Sequence, residues 1–200
     1  MTYTTQDKKI KKKQKLRNNE YYNTQKMQDK LYEESCKGRT FKRLMPLICA
    51  EENILLAYRN IKQNTGSNTE GTDGMTIRNI ENLPSQLVVN TVKAMLSDFN
   101  PGTVRRVFIP KSNGNLRPLG IPTMWDRLLQ QSIKQVLEPI CEAKFHKHSY
   151  GFRPNRSTKH AIAKSMLFIH FNKLHYVVDI DIKGFFGATR SDFFRNCQWI

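Results

Sequence analysis

Two aspartates, Asp179 and Asp181, stand two residues apart in a short β-branched apolar run over residues 174–182. On a strand that spacing turns both side chains to one face. Carboxylates so placed can hold Mg²⁺, which activates a hydroxyl nucleophile and neutralises a pyrophosphate leaving group. A carboxylate in an apolar strand is costly without a cation, which favours a metal role over a merely solvated strand end. Geometry alone does not separate Asp179 from Asp181. Lys111 and Arg117 flank the turn Ser112-Asn113-Gly114-Asn115, with Arg105 and Arg106 upstream. A Lys point charge beside an Arg fork suits a triphosphate, although a basic surface hairpin has the same composition. The stretch Tyr150-Gly151-Phe152-Arg153-Pro154-Asn155-Arg156-Ser157 mixes aromatics with cations. That mixture suits base stacking with phosphate contacts beside it, while Phe152 could in part pack into a core.

These residues need elements to hold them. Ile54, Leu55, Tyr58 and Ile61 recur at helical spacing from Glu51 onward, and residues 65–74 break the pattern. A second helix is predicted over residues 84–98, ended by Pro101-Gly102. Residues 103–122 read as a β-hairpin, because Asn113-Gly114 lies between two strand-like runs and both residues tolerate positive φ. Pro110, Pro118 and Pro122 restrict those strands to an edge. The strongest helical periodicity spans residues 124–143, through Trp125, Leu128, Leu129, Ser132, Ile133, Val136, Leu137 and Ile140. A further helix is predicted over residues 155–171, capped by Asn155 or Ser157, followed by the strand carrying the aspartates.

The chain has 200 residues and a net charge of +16, enough length for one core and a charge that favours an acidic polymer as partner. Residues 1–40 include a lysine-rich run from Lys8 to Arg17 and lack a sustained apolar stripe, so they read as a basic flexible or loosely helical arm. Cys36, Cys49, Cys141 and Cys197 form no C-x-x-C pair, which argues against a zinc ribbon or a disulfide scaffold and for reduced thiols in a cytoplasmic protein. No apolar run is long enough to span a bilayer, so no membrane partner is expected. His146-Lys147-His148 lacks a third ligand at suitable spacing and reads as a solvated or phosphate-facing segment.

Taken in order, several strings resemble the fingers and first palm motifs of group II intron-encoded reverse transcriptases, which also act as splicing maturases. They are Gly71-Thr72-Asp73-Gly74, Ile109-Pro110-Lys111 with Arg117-Pro118-Leu119-Gly120-Ile121-Pro122, Asp126-Arg127-Leu128-Leu129-Gln130, Tyr150 to Ser157, and Asp181-Ile182-Lys183-Gly184-Phe185-Phe186. The resemblance implies an α/β fold, a partial right-hand polymerase that is helix-rich with a basic β-hairpin. It divides the chain into a basic flexible arm (1–40), an amino-terminal fingers extension (41–102), the fingers and start of the palm (103–186), and a divergent tail (187–200). It implies that Asp181 is the catalytic, Mg²⁺-binding carboxylate, that Lys111 and Arg117 contact the dNTP, and that Phe186 gates against a 2′-hydroxyl. Arg105, Arg106, Arg127, Tyr150, Arg153 and Arg156 become candidate nucleic-acid contacts, with intron or template RNA and a DNA primer or target as partners.

The resemblance is read as stopping after Phe186, where Gly187-Ala188-Thr189-Arg190 replaces an acid and an Asn- and His-containing segment. No two aspartates are adjacent anywhere, so a Tyr-x-Asp-Asp motif is absent. The expectation is a frameshifted or prematurely stopped frame: an RNA-directed DNA polymerase of splicing and mobility, as a fragment with little or no polymerisation of its own. The alternatives are a non-catalytic RNA-binding remnant, or a piece of a retron, diversity-generating or CRISPR-associated reverse transcriptase. The Gly-Thr-Asp-Gly and Tyr-Gly-Phe-Arg-Pro strings favour the intron type.

Overall fold

The structure is a computed structural model that describes residues 17–181. Its organising element is the long helix α7 (Met124–Glu142), whose buried face carries Met124, Leu128, Leu129, Ser132, Gln135, Val136 and Ile140. Thr123 starts it: the Thr123 hydroxyl accepts from the Asp126 backbone N–H at 3.2 Å and donates to the Asp126 carboxylate at 2.8 Å. This satisfies an orphan amide of the first turn and puts a negative charge at the positive end of the helix.

Around α7 pack α2 (Gln25–Cys36), α3 (Met45–Ile48), α4 (Glu51–Lys62) and α6 (Ser85–Ser97). The short helices α1 (Asn18–Tyr21) and α5 (Ile77–Glu81) complete the helical body. Ile54 and Ile61 of α4, Ile77 and Ile80 of α5, and Val88, Val89 and Val92 of α6 close over Met124 and Leu128. A second cluster joins Leu31 and Ile48 to Val136 and Ile140. The predicted helices at residues 51–61, 84–98 and 124–143 are therefore present, and their apolar faces form the core. The β-hairpin of β1 (Arg105–Pro110) and β2 (Leu116–Ile121) projects from this body, and the helix α8 (Thr158–His170) buries no residue. The fold is helix-rich with one antiparallel two-stranded sheet among the described residues.

Helices α4 and α7 are also joined by a buried polar network. The fully buried Asn53 amide donates to the carbonyls of Ile48 at 3.0 Å and Ser132 at 2.9 Å. Gln135 donates back to the Asn53 carbonyl and side-chain oxygen, each at 2.9 Å, and accepts from Asn60 at 2.8 Å. Such groups are tolerated in a core because each finds a partner, and they specify one helix register.

Two sequence expectations need correction. Residues 18–36, assigned to a flexible or loosely helical arm, form α1 and α2, and α2 is docked on α7. The apolar stripe of α2 is thin, essentially Met27 and Leu31, but α7 offers unpaired carbonyls. Pro139 has no N–H to return to Gln135, and Gln28 donates to the Gln135 carbonyl instead, at 3.3 Å. Ser35 donates to the Ile140 carbonyl at 2.8 Å near the helix end. The second correction concerns residues 174–181, which are exposed and belong to no strand. β-Branched composition supplies propensity, but a strand exists only where a neighbour takes its N–H and C=O groups, and no described strand lies beside this one.

Replacing Asn53 by alanine removes the side-chain acceptor of Gln135 and the side-chain donor to the Ile48 and Ser132 carbonyls inside the core. Asn53→Ala is expected to cost roughly 2–3 kcal/mol in urea unfolding, with an unchanged slope.

Candidate nucleic-acid interface

The hairpin register pairs Arg105 with Ile121, Ile109 with Arg117 and Pro110 with Leu116. The Lys111 N–H donates to the Asn115 carbonyl at 2.8 Å, so the ladder continues one pair further. Alternation along the strands then puts Lys111 and Arg117 on one face, with Arg105, and puts Arg106 on the other. The same alternation leaves Pro110 and Pro118 where their missing amides would have faced outward, as edge strands require. Of Asn113 and Gly114, both of which tolerate a positive φ, only Gly114 adopts one, at +80°. Its N–H donates back to the Lys111 carbonyl at 3.0 Å. Arg105, Arg106, Lys111 and Arg117 are exposed and make no ion pair among the described residues.

Both legs of this hairpin are held by the Gly71-Thr72-Asp73-Gly74 loop. The Thr72 hydroxyl donates to the Thr103 carbonyl at 2.9 Å, just ahead of β1. Gly71 lies against the end of β2 so closely that a Cβ there would stand 2.7 Å from the Thr123 Cα and 3.0 Å from the Pro122 carbonyl. Asp73 accepts from the Met75 N–H at 3.2 Å, and Gly74 turns the chain at φ +66°. Arg127 completes the joint. Its three guanidinium nitrogens donate to the carbonyls of Pro122, Gly66 and Thr69 at 2.9, 3.0 and 2.8 Å. Burial pulls this guanidinium below its ordinary pKa, with Asp73 opposing and Arg105 adding to the shift. Arg127, a candidate nucleic-acid contact by sequence, thus spends its donors inside the protein.

The loop before α8 divides its arginines in the same way. Arg153 is 9% exposed and forks onto the Glu142 carboxylate at 2.5–3.1 Å, while its remaining nitrogen donates to the carbonyls of His146 and Ser149, both at 2.9 Å. Its guanidinium also lies 5.2 Å from the centre of the Phe145 ring. Hydrogen bonding by Arg153 holds the Glu142 carboxyl below its ordinary pKa, against the opposing effect of burial. Arg153 is therefore a clamp in this structure rather than a free contact. Glu142 was not legible as its partner, because the intervening segment has no periodicity. Arg156 is exposed, donates to the Lys147 carbonyl at 3.2 Å and lies over the half-buried Tyr150 ring at 5.7 Å. Burial, then Lys164, Lys147, His146 and Arg156, push His148 below its ordinary pKa. The cap of α8 is Ser157, which accepts from the His160 N–H at 3.4 Å; Asn155 instead takes φ +57°. Phe152, expected in part to pack inward, is wholly exposed.

Asp179 and Asp181 are both exposed after α8, and Phe186 lies outside the described residues. Among the described residues no three His, Cys, Asp or Glu side chains gather as a metal site. Asp181 and Asp179 alone do not supply the ligand set that two ions need.

Residues 109–193 match the family of reverse transcriptases (RNA-dependent DNA polymerases). The match begins inside β1 and continues past Phe186, through part of the segment read from sequence as divergent. The chain is 37% identical over 151 residues to Protein YkfC of Escherichia coli (strain K12), covering 74% of this chain and 40% of that protein. It is 35% identical over 152 residues to the group II intron-encoded protein LtrA of Lactococcus lactis subsp. cremoris, covering 73% of this chain and 24% of LtrA. Over these residues the chain is similar to reverse transcriptases and to group II intron-encoded proteins. A protein in the cob intron of Schizosaccharomyces pombe is 35% identical over 144 residues, 70% of this chain and 17% of that protein. The segment therefore spans less than half the length of each of these curated relatives. At 73–74% of the chain, the YkfC and LtrA alignments necessarily take in much of the helical body and the hairpin.

Two outcomes follow for the hairpin base and the loop before α8. Gly71→Ala forces backbone apart at the hairpin base and is expected to cost about 1–3 kcal/mol in denaturant unfolding, with faster amide exchange in β1 and β2. The Glu142 pKa is lower folded than unfolded, so the Glu142–Arg153 contribution is complete above the ordinary glutamate range and is lost as pH falls through the folded value. The wild-type melting temperature should drop on acidification below that range, and Glu142→Gln should remove that part of the drop while lowering stability at neutral pH.

Proposed function

We propose that this chain is the fingers portion of a right-hand polymerase, an RNA-directed DNA polymerase that serves intron splicing and mobility. The observation that carries the reading is the clamped hairpin: Lys111 and Arg117 share one exposed face, and both hairpin legs are tied to the Gly71–Gly74 loop. A rigidly based pair of cations can meet a dNTP triphosphate, the Lys as a point charge and the Arg as a fork. Arg105 on that face, Arg106 on the opposite face of the hairpin, and Arg156 with the Tyr150 ring before α8 add further cations and an aromatic for intron or template RNA and a DNA primer or target. In the whole enzyme Mg²⁺ would be held in part by Asp181, with Phe186 beside the incoming sugar. The free thiols of Cys36, Cys49 and Cys141 fit a cytoplasmic protein, and no helix among the described residues is long and apolar enough to cross a membrane.

A second reading, a non-catalytic RNA-binding remnant, is favoured by the exposure of Asp179 and Asp181 away from any other described carboxylate. Primer extension with Mg²⁺ separates the two. Template-dependent synthesis by the purified chain that disappears in Asp181→Asn rules out the remnant; no synthesis beside retained RNA binding rules out activity by this chain alone. For the shared part, affinity for structured RNA should fall steeply with salt, and Lys111→Ala or Arg117→Ala should each reduce the log–log slope by about 1. An affinity indifferent to salt would contradict phosphate contact altogether.

A further inference from the structure

Phe152 is the most exposed large apolar side chain among the described residues, at 110% relative exposure. It is also held at φ +55°, in the left-handed region that bulky side chains rarely enter. Neither property serves the fold. The side chain stands wholly in solvent, so core packing does not account for an aromatic at this turn. Strain of this kind persists only where the surroundings enforce it, and it concentrates at functional sites.

The enforcement is visible. The next residue, Arg153, is locked by five hydrogen bonds to Glu142, His146 and Ser149. Three residues beyond Phe152, Asn155 is also left-handed, and Arg156 then ties back to Lys147. The loop is thereby folded around its own backbone, with the phenyl ring left outside. Its electrostatic setting is positive: from residue 142 to residue 164 the only acid is Glu142, which Arg153 neutralises. Lys147, Arg156 and Lys164 remain as cations on this part of the surface, close enough to act together on His148. An aromatic face presented beside cations is the arrangement that receives an unpaired base and its phosphate.

We propose that Phe152 is a base-stacking platform for single-stranded nucleic acid, with Arg156, Lys147 and Lys164 as its phosphate-facing neighbours. This deepens the reading above and rests on its premise that the chain meets nucleic acid. Stacking is indifferent to base identity, so the platform guides a strand without selecting a sequence.

The test is titration of the full chain into single-stranded RNA carrying 2-aminopurine, at several salt concentrations, with melting curves for every variant. Wild type should quench the fluorescent base and bind with a steep salt dependence. Phe152→Gly should abolish the quenching and weaken binding about tenfold with the salt slope unchanged. Its melting temperature should stay at or above that of wild type, because glycine accepts the positive φ without strain. Phe152→Trp should restore both quenching and affinity, and Arg156→Ala should lower the slope by about 1 while leaving the quenching. Salt-dependent binding and quenching that survive Phe152→Gly would overturn this inference and leave the wider reading intact. A lower melting temperature in Phe152→Gly without rescue by tryptophan would also overturn it, by showing a structural role. Failure of wild type to bind at any salt would overturn both.

Discussion

The Arg127 guanidinium is the joint on which the candidate surface depends. One side chain reaches three carbonyls in two stretches of chain: Pro122 just past β2, and Gly66 and Thr69 in the loop between α4 and the Gly71–Gly74 turn. Arginine suits this task because its planar fork presents several donors in fixed directions and stays charged even when burial lowers its pKa. The contact also sits in the first turn of α7, directly after the Thr123 cap and the buried Asp126. The start of the main core helix and the base of the hairpin are thus one structure.

The same economy of donors and acceptors explains how the helices find each other. Proline in α7 withdraws an amide from Gln135, and the vacant carbonyl becomes a docking point for Gln28. The helix end leaves the Ile140 carbonyl for Ser35. On the opposite side Asn53 and Gln135 exchange bonds through the core, and no buried side-chain N or O atom among the described residues lacks a partner. Apolar burial holds the helices together, but these polar contacts select which residues face each other.

The arginines fall into two physical classes that composition cannot distinguish. Arg127 and Arg153 are surrounded by carbonyl and carboxylate oxygens and fix backbone shape, whereas Arg105, Arg106, Arg117 and Arg156 leave their charge towards solvent. The first class positions what the second presents. In the loop before α8 this division also accounts for Phe152, whose exposure is a consequence of how tightly its neighbour is held.

By itself the sequence determined the elements whose signals are local. The 3.6-residue periodicity marks α4, α6 and α7, Asn113-Gly114 marks the hairpin, and the ordered strings from Gly71 to Phe186 mark the family resemblance. The turn Ser112-Asn113-Gly114-Asn115 was enough to put Lys111 and Arg117 on either side of one hairpin tip. Tertiary structure decided everything that turns on partners distant in the chain. It docked α2 with only a thin apolar stripe, because the deciding acceptors lie more than a hundred residues away. It turned Arg127 and Arg153 inward, towards carbonyls that no periodicity announces. It left residues 174–181 without strand structure, because β propensity is realised only when a neighbouring strand accepts its hydrogen bonds.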